Sequence, residues 1–326
     1  DMFFDRAAGP SVGYASILVN DGEILNQGVE FDLDFRIIQK DRLKLSFGVN
    51  GAMLTNEFKA LPIDPATGEQ QKLARNGQFA YEVGRSLYDR YIPVYVGVNP
   101  ANGAAQWERS FDDVNGDGVY AAADDVLITS LTQYVNDNPN ANVVQDITEV
   151  YAEATDKFID KTAIPDINGA FRINAEIGDF SISTLFNYQI GGWAYDTAYA
   201  NLMDNDFAGT NNFSVDIRNR WQNPGDITDI PRQDAGFQIQ QNSTSTRFLT
   251  DASFLALNNI RIGYKLPANV ASKIGAKNLE VFATGDNLWL TSKRVGFNPS
   301  TSISGASSIY RYSPLSTIVL GINLNL

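Results

Sequence analysis

The stretch Asp113-Val114-Asn115-Gly116-Asp117-Gly118-Val119-Tyr120 carries the residue types and spacing best suited to chemistry, and that chemistry is binding a hard cation. Asp113, Asn115 and Asp117 alternate and offer side-chain oxygens. Val119 offers its backbone carbonyl, and Asp124 falls at the twelfth position. This is the D-x-[DN]-x-D-G spacing of a calcium loop, in which Gly118 permits the sharp turn and the twelfth residue closes the sphere. Aspartate stands where a bidentate glutamate is usual, so the expected Ca2+ affinity is modest and the expected role structural. The same residues also read as an Asn-Gly/Asp-Gly turn cluster that needs no ion. Trp107, Trp193 and Trp221 are candidates for stacking on a sugar or anchoring a partner protein. Each reads equally as an interfacial girdle residue or as packing inside a loop.

Other chemistry is excluded by composition. The 326 residues include no cysteine and no histidine. Disulfides, thiolate or imidazole zinc sites, and Ser-His or Cys-His catalysis therefore have no residues to use. Aspartate and glutamate are plentiful, but no two are placed by the sequence as an acid/base couple, so no enzyme is expected. A formal net charge of −13 argues against a nucleic-acid surface, which needs clustered lysine and arginine. No window holds eighteen consecutive apolar residues, so no transmembrane helix is expected. The opening residues have neither the basic nor the apolar region of a signal peptide.

The elements that position these residues alternate at period two. In Gly28–Ile38, Val29, Phe31, Leu33, Phe35 and Ile37 share one face, and Glu30, Asp32, Asp34 and Arg36 the other. The run has about the 9–11 residues that cross a bilayer as a tilted strand. The same grammar recurs over Leu43–Asn50, Gly169–Ile177, Phe180–Gln189, Phe254–Leu266 and Ser316–Leu326, and more weakly at Leu279, Val281 and Ala283. Tyr14–Ile24 is a candidate eighth strand. Short and long connections alternate. Gln39-Lys40-Asp41, Gly178-Asp179 and Pro267–Lys277 are short, whereas 55–168, 192–252 and 291–313 are long. Outer-membrane barrels keep turns short on the periplasmic side and loops long outside, and a soluble sandwich has no reason to do so. The expected fold is all-β, a transmembrane antiparallel β-barrel with those three segments as extracellular loops and Leu326 ending on the periplasmic side.

Several stretches, in order along the chain, resemble the SusC/RagA family of TonB-dependent outer-membrane transporters of Bacteroidota. They are Asn20-Asp21-Gly22-Glu23-Ile24-Leu25-Asn26-Gln27-Gly28-Val29-Glu30, Tyr95–Gly103, the calcium-like loop, Ile164–Gly169, Leu249–Pro267, Gly285-Asp286-Asn287-Leu288 and Gly296-Phe297-Asn298-Pro299. The resemblance implies the C-terminal portion of a wide barrel of about 22 strands. It also implies a SusD-like surface lipoprotein as lid, the TonB complex as partner through an N-terminal region not present here, and import of an oligosaccharide or peptide ligand. The chain departs from the family in having Asp125–Ile159 where a short spacer is usual, and a helix is expected there around Asp146–Phe158. It also ends on Leu326 where an aromatic is usual. The alternatives are a surface binding or adhesion protein anchored by a small barrel, and a secreted calcium-dependent enzyme on a soluble β-scaffold.

Overall fold

Each alternating run becomes a strand in the computed structural model, which describes residues 2–7, 13, 16–64, 67–204, 212–233, 240–302 and 313–325. Eight strands form one antiparallel sheet in which every neighbour in space is also the neighbour in sequence. They are β1 (Met2–Ala7), β2 (Ser16–Lys40), β3 (Leu43–Ala60), β4 (Ile167–Ile177), β5 (Phe180–Ile190), β6 (Phe254–Lys265), β7 (Asn278–Ser292) and β8 (Thr317–Asn325). No described helix is long and apolar enough to cross a membrane. The expected end of the chain at Leu326 lies outside the described residues.

Three expectations about the strands need correction. Tyr14–Ile24 is not a separate strand, because β2 runs unbroken from Ser16, and the eighth strand is β1, which pairs with Ser16–Gly22. Asp21 lies within that strand, and its carboxylate accepts the Ile63 N–H at 3.0 Å. The first hairpin closes on Asp41-Arg42, with Gln39 and Lys40 still in the strand. The weak alternation after Leu279 belongs to a full 15-residue strand, β7. Its pattern is broken where Leu257 pairs with Trp289 but Asn259 pairs with Asp286. The extra residue is absorbed at Asn287, whose φ of 52° marks the left-handed kink of a β-bulge.

The described chain divides into two compact units. One comprises Gln27–Leu54, Ile164–Ala194 and Thr250–Leu326, and holds most of the eight-stranded sheet. One face of that sheet is apolar and lies open. Val29 is 60% exposed, Ile37 58%, Ile318 73%, Leu320 80% and Ile322 70%, where a soluble sandwich would have buried them. Aromatic rings ladder across this face from Phe35 to Phe47 (6.4 Å), Phe171 (6.2 Å) and Phe186 (4.7 Å, nearly parallel). Such cross-strand pairs fix register.

The other unit comprises Asp1–Asn26, Thr55–Ala163 and Tyr195–Leu249, close to the first two expected loop segments. These are folded structure rather than open loop. Ala74–Asn76, Phe79–Tyr81, Asp89–Pro93 and Asp156–Thr162 form one small sheet, and Tyr95–Val98, Ala105–Asp112, Val126–Ile128 and Val143–Thr148 another. Trp107, Tyr91, Phe58, Phe111, Phe248 and Ile128 are fully buried among them. The helix expected around Asp146–Phe158 is absent, since Val143–Thr148 is a strand, followed by a 3-10 turn at Tyr151–Glu153. Its β-branched Val143, Val144, Ile147 and Thr148 suit a pleated ladder better than a helix. The helix in this insertion is Leu131–Asp137. Of the third segment, 291–313, residues 303–312 lie outside the described residues.

Candidate functional site

The polar face of the eight-stranded sheet brings opposite charges on different strands together. Lys44 and Glu176 are directly opposed in the β3/β4 register, and their ion pair spans 2.8 Å. Arg172 donates Nη2–H to both Asp34 oxygens at 2.7 and 2.6 Å, with Asp32 at 3.9 Å. Arg261 meets Glu280 at 3.0 Å and covers the Phe282 ring at 4.5 Å. Asn174 accepts from Ser183, and Asp286 from Asn259. Because polar residues recur at every second position, partners meet from the adjacent strand, or, for Arg172 and Asp34, across the intervening Gly48 of β3. Surface ion pairs of this kind add little stability, so their use is a wettable face with its charge balanced locally. Gly48 makes room for one pair; a Cβ there would lie 2.5 Å from Arg172 Nε and 2.6 Å from Asp34 Oδ1.

In the unit built on Thr55–Ala163 the calcium-like loop is knit together by its own side chains. Asp113 is buried, and its carboxylate accepts the N–H groups of Gly116 (2.8 Å), Asp117 (3.2 Å) and Gly118 (3.0 Å). Asn115 accepts from the Asp117 N–H, and Asp117 from the Val119 N–H, each through a side-chain oxygen. Val119 is exposed. Asp124 is exposed too. The carboxylate turned into the loop is that of the buried Asp125, which accepts the Val114 and Ala121 N–H groups. Counting to the twelfth residue therefore lands one short of the side chain that closes the loop. Among the described residues, no three acidic groups are arranged to hold a metal ion. What the geometry displays is the Asx-turn cluster that the same spacing also encodes.

The three tryptophans do not form one surface. Trp107 is fully buried, with Tyr95 and Tyr151 edge-on to its ring at 6.3 and 5.4 Å, so it is core and not a ligand platform. Trp221 is half-buried and lies against Gly103, and its indole N–H donates to the Pro100 carbonyl at 3.0 Å. It thereby holds down the Tyr95–Gly103 hairpin, whose Asn99 and Asn102 both donate to the Glu149 carboxylate. Trp193 is half-buried at the start of the short strand Trp193–Tyr195.

Sequence reading passed over the arginines of this unit. Arg109 grips Asp146 through two nitrogens and Glu153 through a third, and the hydrogen bonds to Asp146 raise its pKa further. Arg90 is buried over the Phe79 ring, and burial brings its pKa down to about 10. Arg247 stands over the rings of Tyr95 (5.4 Å) and Phe248 (4.9 Å), and burial lowers its pKa as well. Burial pushes the Tyr151 phenol up to about 12. A lone arginine in a polar stretch gives no sequence signal, because a solvated side chain looks the same.

No family model matches the chain. TonB-dependent receptor P3 of Formosa agariphila is 24% identical over 319 residues, covering 93% of this chain and 28% of the receptor. TonB-dependent receptor P39 of the same organism is 24% identical over 345 residues, covering 99% and 32%. The chain is similar to a part of these TonB-dependent receptors. It spans about a third of the length of these receptors. The solved RagAB peptide transporter superposes on 99% of this receptor segment with a TM-score of 0.74 at 22% identity, using 32% of its own chain. The RagAB peptide importer in its closed-closed state gives 0.75. The eight strands of the receptor segment thus have the fold of a stretch of outer-membrane transporter wall. Its relatives are receptors and transporters, not enzymes.

Proposed function

We propose that the receptor segment forms wall and outer loops of an outer-membrane barrel that imports an oligosaccharide or a peptide, working with a SusD-like lipoprotein and drawing energy from TonB. The observation that carries this reading is the sheet with two opposite faces. One is open and apolar with a ladder of aromatic rings, suited to lipid; the other is lined by paired charges, suited to a wet interior. On this reading the hairpin turns at Asp41-Arg42 and Gly178-Asp179 face the periplasm, and the unit containing Thr55–Ala163 lies outside the cell. The test is uptake by cells of fluorescent oligosaccharide and peptide pools, with the gene for the intact receptor deleted and restored. Loss of uptake of one pool on deletion, and its return on restoration, supports import and names the ligand class. Unchanged uptake of both pools refutes it.

Calcium is proposed as an addition to the loop at Asp113, Asn115 and Asp117, with Val119 supplying a carbonyl and Asp125 rather than Asp124 the closing carboxylate. Its support is the donor spacing together with a loop already folded around Asp113. Bound there, the ion would supply rigidity to the loop and no reaction. Melting of the intact receptor with calcium and with chelator decides it: an upward shift with calcium that Asp113→Ala abolishes is expected, and equal curves exclude the ion.

A further inference from the structure

The bulge shared by β6 and β7 borders a cavity. Asn258 pairs with neither neighbouring strand: on β5, Leu185 meets Asn259 and Phe186 meets Leu257, and on β7, Asp286 meets Asn259 and Trp289 meets Leu257. Asn258 and Asn287 therefore stand outside the ladder, and bulges re-aim side chains in this way beside binding sites. Both line a cavity of about 290 Å³, whose described lining residues all belong to the unit containing Thr250–Leu326. Asn187 lines it from β5. It sits between Phe186 and Tyr188, which both meet Phe171 in the aromatic ladder, so it belongs to the opposite, polar face. Its register partners Ala256 and Leu290 line the cavity beside it.

The cavity is held in shape by the segment after β7. Ser292 Oγ donates to the Phe297 carbonyl at 2.7 Å, and the buried Phe297 ring packs with Ala194 and Ala252. Two features set its chemistry. No charged residue is among its described lining residues. The side-chain amides of Asn187 and Asn258 are half-buried and make no hydrogen bond among the described residues. Each amide offers N–H donors and a carbonyl acceptor side by side, and a hydroxyl also both donates and accepts. Neighbouring hydroxyls on a ring therefore match an amide in pairs without any charge, while the C–H faces of such a ring suit Phe254, Ala256 and Leu290. The volume is at the small end of ligand sites, which run from about 300 to 1,000 Å³. It suits one compact ring, whereas an extended peptide advances about 3.3 Å per residue and calls for a groove.

We infer that Asn187 and Asn258 form a subsite for one uncharged sugar residue of the ligand, with Phe254, Ala256 and Leu290 against its ring. The inference rests on the import reading and narrows its ligand to an oligosaccharide.

The experiment measures equilibrium binding to the intact receptor in detergent by titration calorimetry. The probes are neutral trisaccharides of glucose, mannose, galactose and xylose, each α- and β-linked, and N-acetylated tri-alanine amide as an uncharged peptide. At least one trisaccharide should bind with a Kd below about 1 mM. Its affinity should change less than about twofold between about pH 6 and 8 and between about 0.05 and 0.5 M salt, because no lining group titrates or is screened. Asn187→Leu and Asn258→Leu keep the bulk of the side chain and remove the amide, and each should weaken binding about fivefold or more. Folding of each variant is checked by heat-modifiable migration on gels. Asn187→Leu, on a regular stretch of strand, serves if Asn258→Leu disturbs the bulge, and Asn187→Ser serves if neither leucine variant folds. Four results overturn the inference: no trisaccharide bound, binding unmoved by loss of the amides, binding that varies strongly with pH or salt, or the peptide probe bound and lost in the same variants. Binding needs no energy input, so a failed subsite with uptake intact leaves the import reading standing. Trisaccharide binding retained without uptake does the reverse.

Discussion

Replacing Gly169 with alanine tests whether close backbone approach, and not flexibility, dictates glycine in the wall. Gly169 on β4 lies directly opposite Gly51 on β3. A Cβ at Gly169 would sit 2.9 Å from the Asn50 carbonyl carbon and the Gly51 Cα, and closer still to the Asn50 carbonyl oxygen. Carbon–carbon contact begins to be comfortable at about 3.5 Å, so one strand must move by roughly 0.6 Å or more. The obstruction is backbone and cannot swing aside. The shift would strain the contacts that converge there: Asn50 Oδ1 accepts the Ala170 N–H at 2.9 Å, and the Tyr188 hydroxyl donates to the Asn50 carbonyl at 3.0 Å. Overpacking at about 1–3 kcal/mol, with about 1 kcal/mol for a weakened hydrogen bond, gives an expected loss of about 2–4 kcal/mol. Gly48→Ala is the control. Its Cβ meets the mobile ends of Arg172 and Asp34, an exposed pair, and should cost less than about 1 kcal/mol. Urea or thermal unfolding of the purified receptor, followed by the heat-modifiable gel shift, reports both. Equal stability of the two variants would refute the reasoning.

Trp107→Ala should destabilise the unit containing Thr55–Ala163 by about 3–5 kcal/mol, as emptying a large buried aromatic site does, and Trp107→Phe by much less; limited proteolysis within 55–163 reads this, and a silent Trp107→Ala would return the residue to the surface. Asp125→Ala should loosen the 113–125 loop by about 1–3 kcal/mol because two backbone N–H groups lose their acceptor, while Asp124→Ala should stay within about 0.5 kcal/mol. Amide hydrogen exchange at Val114 and Ala121 separates the two, and equal effects would restore the twelfth-position count. Tyr151 holds its proton to about pH 12 when folded, against about 10 when unfolded, so between those values the folded state binds more protons and stability falls as pH rises. Tyr151→Phe should flatten that fall in melts run between pH 9.5 and 11.5, and an unchanged slope would exclude the assignment.

The wall was legible because its signal is local. Val29 through Ile37, or Phe180 through Tyr188, need only their own period to declare a face, and the turn residues Gly178-Asp179 declare the hairpin. β7 was half-legible, since Asn287 breaks the alternation that a reader follows. The unit containing Thr55–Ala163 was not legible because its strands are short and their partners distant. Arg109 finds Asp146, and Tyr95 finds Thr246, over separations that no periodicity spans. Burial of Trp107 and the inward turn of Asp125 follow from that pairing, so they could not be read before it. Tyr14–Ile24 differs for another reason: it and Gly28–Ile38 are two alternating runs, yet Ser16–Ile24 and Gly28–Ile38 lie on the one strand Ser16–Lys40, a continuity that period alone does not declare.

The bulge at Asn287 has an evolutionary consequence. Removing or adding one residue inside a regular strand turns every later side chain from one face to the other, which in this wall would exchange apolar groups for charged ones. At a bulge the extra residue is already outside the count. Leu257 still meets Trp289 and Ile260 still meets Gly285 on the same side of the sheet, although the two strands contribute unequal lengths between them. The position is therefore where strand length can drift by single residues without inverting the wall. Lineages that lengthen or shorten this strand would be expected to do so at Asn287 before anywhere else along it.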